Sequence, residues 1–325
     1  AVLLLAVVPV GGKAGPAGSA DAAPADAGVW LMRAHEAAST RNYRGTLVVS
    51  SVGAVSSSRV VHFCESGQQF ERIEALDGEP RSMWRHGDLV QTLWPRARVA
   101  VIEQRDPRTG FPAVFTGAEK RVPESYELKL LGQDRVAGHD ADVVLLKARD
   151  SARFSQRLWA ERGTGLLLRA DILAPGGQAL ESAAFSELAI GIKPQPELVL
   201  AGLKRLEGYR VLRPALMSTT LDAEGWSIGN LPPGFREVQC AKRSLDPAGA
   251  PGSAVVLQAI YTDGLTHVSL FIEPFQPKRH QSEAYAAIGA THTLMLRRDD
   301  QWVTVMGDVP LETLKRFAAA LDRKR

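Results

Sequence analysis

Cysteine is almost absent from this 325-residue chain, which carries only Cys64 and Cys240. Two thiols so far apart exclude a disulfide-stapled scaffold. Neither has a Cys or His partner at ligand spacing, so a cysteine zinc site is excluded too, and a buried free thiol is the preferred reading for each. The seven histidines are scattered, with no two of them three or four residues apart, so no helical His pair offers itself to a metal. Also missing are a Gly-rich phosphate loop with a following Lys-Ser/Thr, a Gly-x-Ser-x-Gly elbow, His-Glu-x-x-His and Cys-x-x-Cys. Catalysis therefore has no motif to rest on, and neither a cofactor nor a metal is expected. Aromatic residues make up 6% of the chain, and the formal net charge is +3 with no dense Lys/Arg run. That excludes a nucleic-acid face. No apolar run approaches the roughly 20 residues a membrane-spanning helix needs.

The longest apolar run is the first ten residues, Ala-Val-Leu-Leu-Leu-Ala-Val-Val-Pro-Val. Small residues follow, and Gly18-Ser19-Ala20 before Asp21 resembles a signal-peptidase site, so 1–20 reads as the remnant of a cleaved export signal and not as an anchor. Residues 21–27 are expected to be a flexible N-terminus. With 45% apolar and 23% charged residues the remainder is an ordinary globular chain, and its length favours two domains.

In the stretch Asp142–Ala189, four short apolar runs are separated by Arg149-Asp150-Ser151, Arg162-Gly163-Thr164 and Pro175-Gly176-Gly177. This spacing predicts an antiparallel meander. In its third run, Leu166, Leu168, Ala170 and Ile172 alternate with Leu167, Arg169, Asp171 and Leu173, which predicts one apolar face and one partly wet face. Upstream, Leu31, Ala34 and Ala38 recur at helical spacing within Gly28–Ser39, with Trp30 and Ala37 beside them. Tyr43–Ser50, Arg59–Cys64, Gln69–Ala75, Arg81–Arg85, Leu89–Trp94 and Arg98–Gln104 read as strands, with Asp77-Gly78 and His86-Gly87-Asp88 as hairpin turns. Together these make a sheet of about ten strands, large enough to curl. Residues 105–127, carrying Pro107, Pro112, Pro123, Phe111 and Phe115, read as a long excursion of the kind that forms lids.

Gly191-Ile192-Lys193-Pro194-Gln195-Pro196 marks a domain boundary and opens a linker over 191–225. Residues 226–325 then hold strands leading from Asn230-Leu231-Pro232-Pro233-Gly234-Phe235 to Cys240, over Val255–Tyr261 and Thr266–Glu273, and in a hairpin across Asp299-Asp300. A last helix follows Asp308, with Leu311, Leu314, Phe317, Ala318 and Leu321 on one stripe. The class is α+β: a large curved antiparallel half-barrel with covering helices over 28–190, and a smaller α+β domain behind it. An apolar half-barrel of this size can hold an acyl chain, or its helix and loops can fill it as ordinary core. The residues patterned to line such a cavity are Trp30, Leu31, Leu93, Phe111, Phe115, Leu145, Trp159, Leu166, Leu168 and Ile172.

The chain resembles the MucB/RseB family of periplasmic regulators of the sigma-E (AlgU) envelope stress response. The marks are Asn42-Tyr43-Arg44-Gly45-Thr46, Glu71-Arg72 with Leu76-Asp77-Gly78, and Arg135-Val136-Ala137-Gly138. In the second domain they are Leu231-Pro232-Pro233-Gly234-Phe235, Tyr261-Thr262-Asp263-Gly264-Leu265 and Val305-Met306-Gly307-Asp308-Val309-Pro310. The resemblance implies a lipoprotein-carrier-like first domain and a periplasmic location. It implies binding to the periplasmic region of a single-pass anti-sigma factor of the RseA/MucA kind, which it would shield from regulated proteolysis until lipid or lipopolysaccharide releases it. Phe235, Tyr261, Asp263 and Gly264 are the expected partner contacts, and a homo-oligomer is compatible with the sequence. A periplasmic lipid or lipoprotein carrier is the alternative.

Overall fold

The computed structural model describes residues 27–104, 111–115, 121–214, 216–244, 255–280 and 282–324. The signal remnant, residues 21–26, Pro107 with much of the proline-rich excursion, and residues 246–253 lie outside the described residues.

The first domain opens with α1 (Ala27–Thr40). Then come β1 (Tyr43–Ser51), β2 (Ala54–Glu65), β3 (Gln68–Ala75), β4 (Ser82–His86), β5 (Leu89–Trp94) and β6 (Val99–Gln104). After the excursion follow α2 (Val122–Ser125), β7 (Tyr126–Val136), β8 (His139–Ala148), β9 (Ser155–Glu161), β10 (Leu167–Leu173) and β11 (Ala179–Ile190). The domain closes with α3 (Pro196–Leu203) and β12 (Arg210–Leu212). Twelve strands make one sheet in the order β12-β6-β5-β4-β3-β2-β1-β11-β10-β9-β8-β7, antiparallel apart from the β12–β6 pair. The predicted hairpins are present. Within the 191–225 segment α3 and β12 pack into the first domain, and the sheets change over between Leu212 and Leu216.

Cross-strand partners sort the side chains to two faces. Tyr43, His62, Glu71 and Arg85 stand opposite one another across β1 to β4, on the inner face that carries α1. There Ala37 of α1 packs with Tyr43 and Val60, and Phe111 packs against Phe185 at 5.5 Å. Val61, Arg72 and Trp84 occupy the outer face, where Val199 of α3 joins Phe63, Phe70 and Trp84. α3 lies so close to Trp84 that a Cβ on Gly202 would come within 1.9 Å of the indole Nε1. Gly202→Ala is therefore expected to force α3 off the sheet at a cost of about 1–3 kcal/mol, readable as a lowered thermal midpoint.

The second domain contains β13 (Leu216–Ser218), β14 (Trp226–Ile228), β15 (Arg236–Ser244), β16 (Val255–Thr262), β17 (His267–Pro274), β18 (Ala284–Ile288), β19 (Thr291–Arg298) and β20 (Gln301–Gly307). The last elements are α4 (Leu311–Ala320) and β21 (Leu321–Arg323). Seven strands form the sheet β13-β15-β16-β17-β20-β19-β18, and β14 pairs with β21. α4 starts behind Pro310, whose fixed φ suits a helix start, and buries Leu314, Phe317 and Ala318. Phe317 meets Phe235 and Tyr261 edge-on, at 5.4 and 5.3 Å. Both cysteines are free; Cys64 is half-buried, and Cys240 is buried with its thiol pushed up to about 11, chiefly by burial.

Candidate functional site

The two domains meet at a buried charged junction. The turn Asp150-Ser151-Ala152 delivers Arg153, whose Nε and Nη2 donate to the two Asp150 carboxylate oxygens at 3.0 and 3.2 Å. From there the guanidinium crosses to the second domain. Nη1 donates to Asp263 Oδ2 at 2.7 Å and Nη2 to the Pro233 carbonyl at 2.5 Å, with both charged side chains fully buried. The Tyr126 hydroxyl donates to the same Asp263 oxygen at 3.1 Å, and the Phe235 ring lies 5.2 Å from the guanidinium carbon. Burial opposes the charge on Arg153, but the Asp150 hydrogen bond and the Asp263 carboxylate outweigh it and hold the guanidinium charged. Burial, then Asp263, raises the Tyr126 phenol, which stays a donor.

Backbone chemistry fixes the partner side of this junction. Asp263 Oδ1 accepts the N–H groups of Leu265 and Thr266 at 3.0 and 2.9 Å, closing a turn that inserts Leu265 among Phe115, Tyr126, Leu128 and Leu146 of the first domain. Gly234 has φ +87° and sits where a Cβ would lie 2.7 Å from Ser125 Oγ, so this turn needs glycine twice over. Arg121 donates to its carbonyl at 3.0 Å, and Thr313 of α4 donates to the Ala152 carbonyl at 2.8 Å.

A second contact lies at Glu181, raised by burial and then by Asp308. A raised carboxyl contributes its stability below the ordinary glutamate value and loses it as pH climbs through the folded one. Glu181→Gln is accordingly expected to raise the thermal midpoint at about pH 7 and to change it little at about pH 4.

Phe235, Tyr261, Asp263 and Gly264 are thus buried against the chain's own first domain or under α4, and not displayed as an outer contact surface. The residues patterned for an acyl cavity are only partly gathered. Leu31 of α1 packs in one cluster with Phe115 and Phe111 of the excursion, with Trp30 half-buried beside them. Leu93 belongs to the outer-face cluster under α3. A β-bulge between Leu167 and Arg169 breaks the expected alternation, so Leu167 packs with Ala170 while Leu166 and Leu168 join a different cluster, all three leucines fully buried. Leu145 and Ile172 are half-buried. Trp159 is buried in the cluster that also holds Leu166, Leu168 and Phe185, with the guanidiniums of Arg157 and Arg169 over its ring at 5.0 and 4.5 Å, and both arginines pair with the buried Asp171. Among the described residues no group of three or more His, Cys, Asp or Glu could hold a metal ion.

With both domains and their junction in place, comparison with known proteins gives the affiliation. The model of the MucB/RseB N-terminal domain matches residues 26–202, and that of the MucB/RseB C-terminal domain matches residues 220–322. The chain belongs to the MucB/RseB family. It is 31% identical over 318 residues to the sigma factor AlgU regulatory protein MucB of Pseudomonas aeruginosa, covering 91% of either sequence. It is 24% identical to the sigma-E factor regulatory protein RseB of Haemophilus influenzae, with 88% of each covered. The solved complex of Pseudomonas aeruginosa MucA and MucB superposes with a TM-score of 0.71 at 29% identity, over 93% of this chain and 100% of that one. MucB in complex with periplasmic MucA gives a TM-score of 0.68, with 92% and 100% covered. Against this MucB/RseB frame, sequence reasoning missed Tyr126, Arg153 and Thr313, which build the junction. The Arg153–Asp263 contact spans 110 positions, and no local pattern announces it.

Proposed function

We propose that this protein is a periplasmic regulatory binding protein that takes the periplasmic segment of a single-pass anti-sigma factor, shields it from regulated proteolysis, and releases it when lipid or lipopolysaccharide binds. The observation that carries the reading is the match over both domains, at nearly full length, to MucB as it stands in complex with MucA. The buried junction joining the domains supports a partner surface built from both. The inner face under α1 and Phe111 supports the lipid limb, since an acyl chain would replace apolar cover with apolar cover. No enzymatic role enters the reading.

The test is a proteolysis time course on the anti-sigma segment from the same genome, alone, with the full chain, and with the full chain plus lipopolysaccharide. Slowed cleavage that lipopolysaccharide restores is expected. Equal cleavage with and without the chain would sink the shielding claim, and protection indifferent to lipid would sink the release claim. Linkage adds a reciprocal requirement: the segment must weaken lipid binding by the factor with which lipid weakens the segment.

A further inference from the structure

On the inner face of the large sheet a row of polar side chains runs through the apolar cover. Tyr43, His62, Glu71 and Arg85 are directly opposed across β1, β2, β3 and β4. Tyr43 is fully buried, stacked on His62 at 5.0 Å and edge-on to Phe185 at 6.0 Å. His62 is committed, because its Nδ1 donates to the Arg41 carbonyl at 2.9 Å. Glu71 Oε2 lies 3.4 Å from Arg85 Nε, an ion pair without hydrogen-bond geometry. The Tyr43 hydroxyl and the Arg85 Nε and Nη1 are buried with no hydrogen-bond partner. Burial, then Glu71, keeps the Tyr43 phenol protonated, so the unpartnered Tyr43 hydroxyl and Arg85 nitrogens are all donors, and Glu71, 3.4 Å from Arg85 Nε, meets none of them in hydrogen-bond geometry.

Buried donors without acceptors destabilise the closed arrangement and are relieved by whatever brings an oxygen to them. Val60 and Ile73 flank the row on the same face, and Phe185 and Phe111 extend it as an apolar track. We propose that Tyr43 and Arg85 form the polar end of an acyl-lipid site, receiving the carboxylate or acyl carbonyl oxygen of a fatty-acyl ligand whose chain lies along Val60, Ile73, Phe185 and Phe111. The inference deepens the lipid limb of the function proposed above and rests on it. The ligand enters by displacing the cover that α1 and Phe111 provide, and it supplies an acceptor to the donors that Glu71 leaves unmet.

The test uses the full chain and cis-parinaric acid, a fluorescent fatty acid, with palmitate, methyl palmitate and hexadecane as competitors. Tyr43→Phe and Arg85→Met are each expected to raise the Kd for cis-parinaric acid about tenfold, while competition by hexadecane, which has no acceptor, is the same for wild type and variants. Tyr43→Phe removes an unpaired hydroxyl without altering the ring, so its thermal midpoint is expected at or above that of wild type, which separates lost binding from lost folding. Better displacement by palmitate than by its ester assigns the acceptor as a carboxylate; equal displacement assigns it as an acyl carbonyl. Wild-type affinity in both variants would overturn the site while leaving the lipid limb standing. Failure of the wild-type chain to bind any of these probes would overturn both, and binding of the anti-sigma segment, measured on the same preparation, reports separately on the regulatory reading.

Discussion

Asp263→Ala is expected to destabilise the chain by about 3–5 kcal/mol, because it strips the buried Arg153 guanidinium of the carboxylate it crosses the junction to meet. Asp150 remains as a partial partner, which places the expectation at the lower end of that range. The cost is that of an uncompensated buried charge and not the net worth of the pair, so removing both charges together is expected to be gentler. Asp263→Asn combined with Arg153→Met keeps an oxygen for the Leu265 and Thr266 N–H groups. Its destabilisation should fall short of the sum of the two single changes by roughly 0.5–3 kcal/mol in a double-mutant cycle read from urea unfolding. Additive losses would mean that the two groups do not act as a pair.

Phe317→Ala is expected to cost about 3–5 kcal/mol, the usual penalty for emptying a buried aromatic position. Phe317 is fully buried in the second-domain core and touches Phe235 and Tyr261 with its ring. The loss should spread, because Phe235 also stands against Arg153. Phe317→Ala and Asp263→Ala should therefore be non-additive, whereas Phe317→Ala and Gly202→Ala, which share no partner, should add within about 0.5 kcal/mol. A thermal scan with near-ultraviolet circular dichroism checks both statements.

Local chemistry made much of this fold legible. α1 announced itself through Leu31, Ala34 and Ala38 at helical spacing, and the hairpin of β19 and β20 through Asp299-Asp300, where Asp299 adopts φ +51°. β7 was hidden, since its Leu128–Leu131 run follows a proline-rich stretch and its register slips between Leu130 and Gly132. Three-residue strands such as β12 and β14 carry no period at all and exist because distant partners hold them. The inner face was half-legible. Alternation found buried leucines at Leu166 and Leu168, but the bulge beside them re-aimed the strand, and Leu93 proved to belong to the outer-face cluster under α3. The row Tyr43–His62–Glu71–Arg85 could be seen only once the register of four strands was known, because nothing in the local sequence of any one strand sets these four residues opposite one another.

The measurement that reaches the central claim most directly is an equilibrium titration of the full chain with the purified periplasmic segment of the anti-sigma factor from its own genome. Saturable one-to-one binding, weakened by lipopolysaccharide and by Asp263→Ala, is the predicted result. Absence of saturable binding by a folded chain would contradict the account.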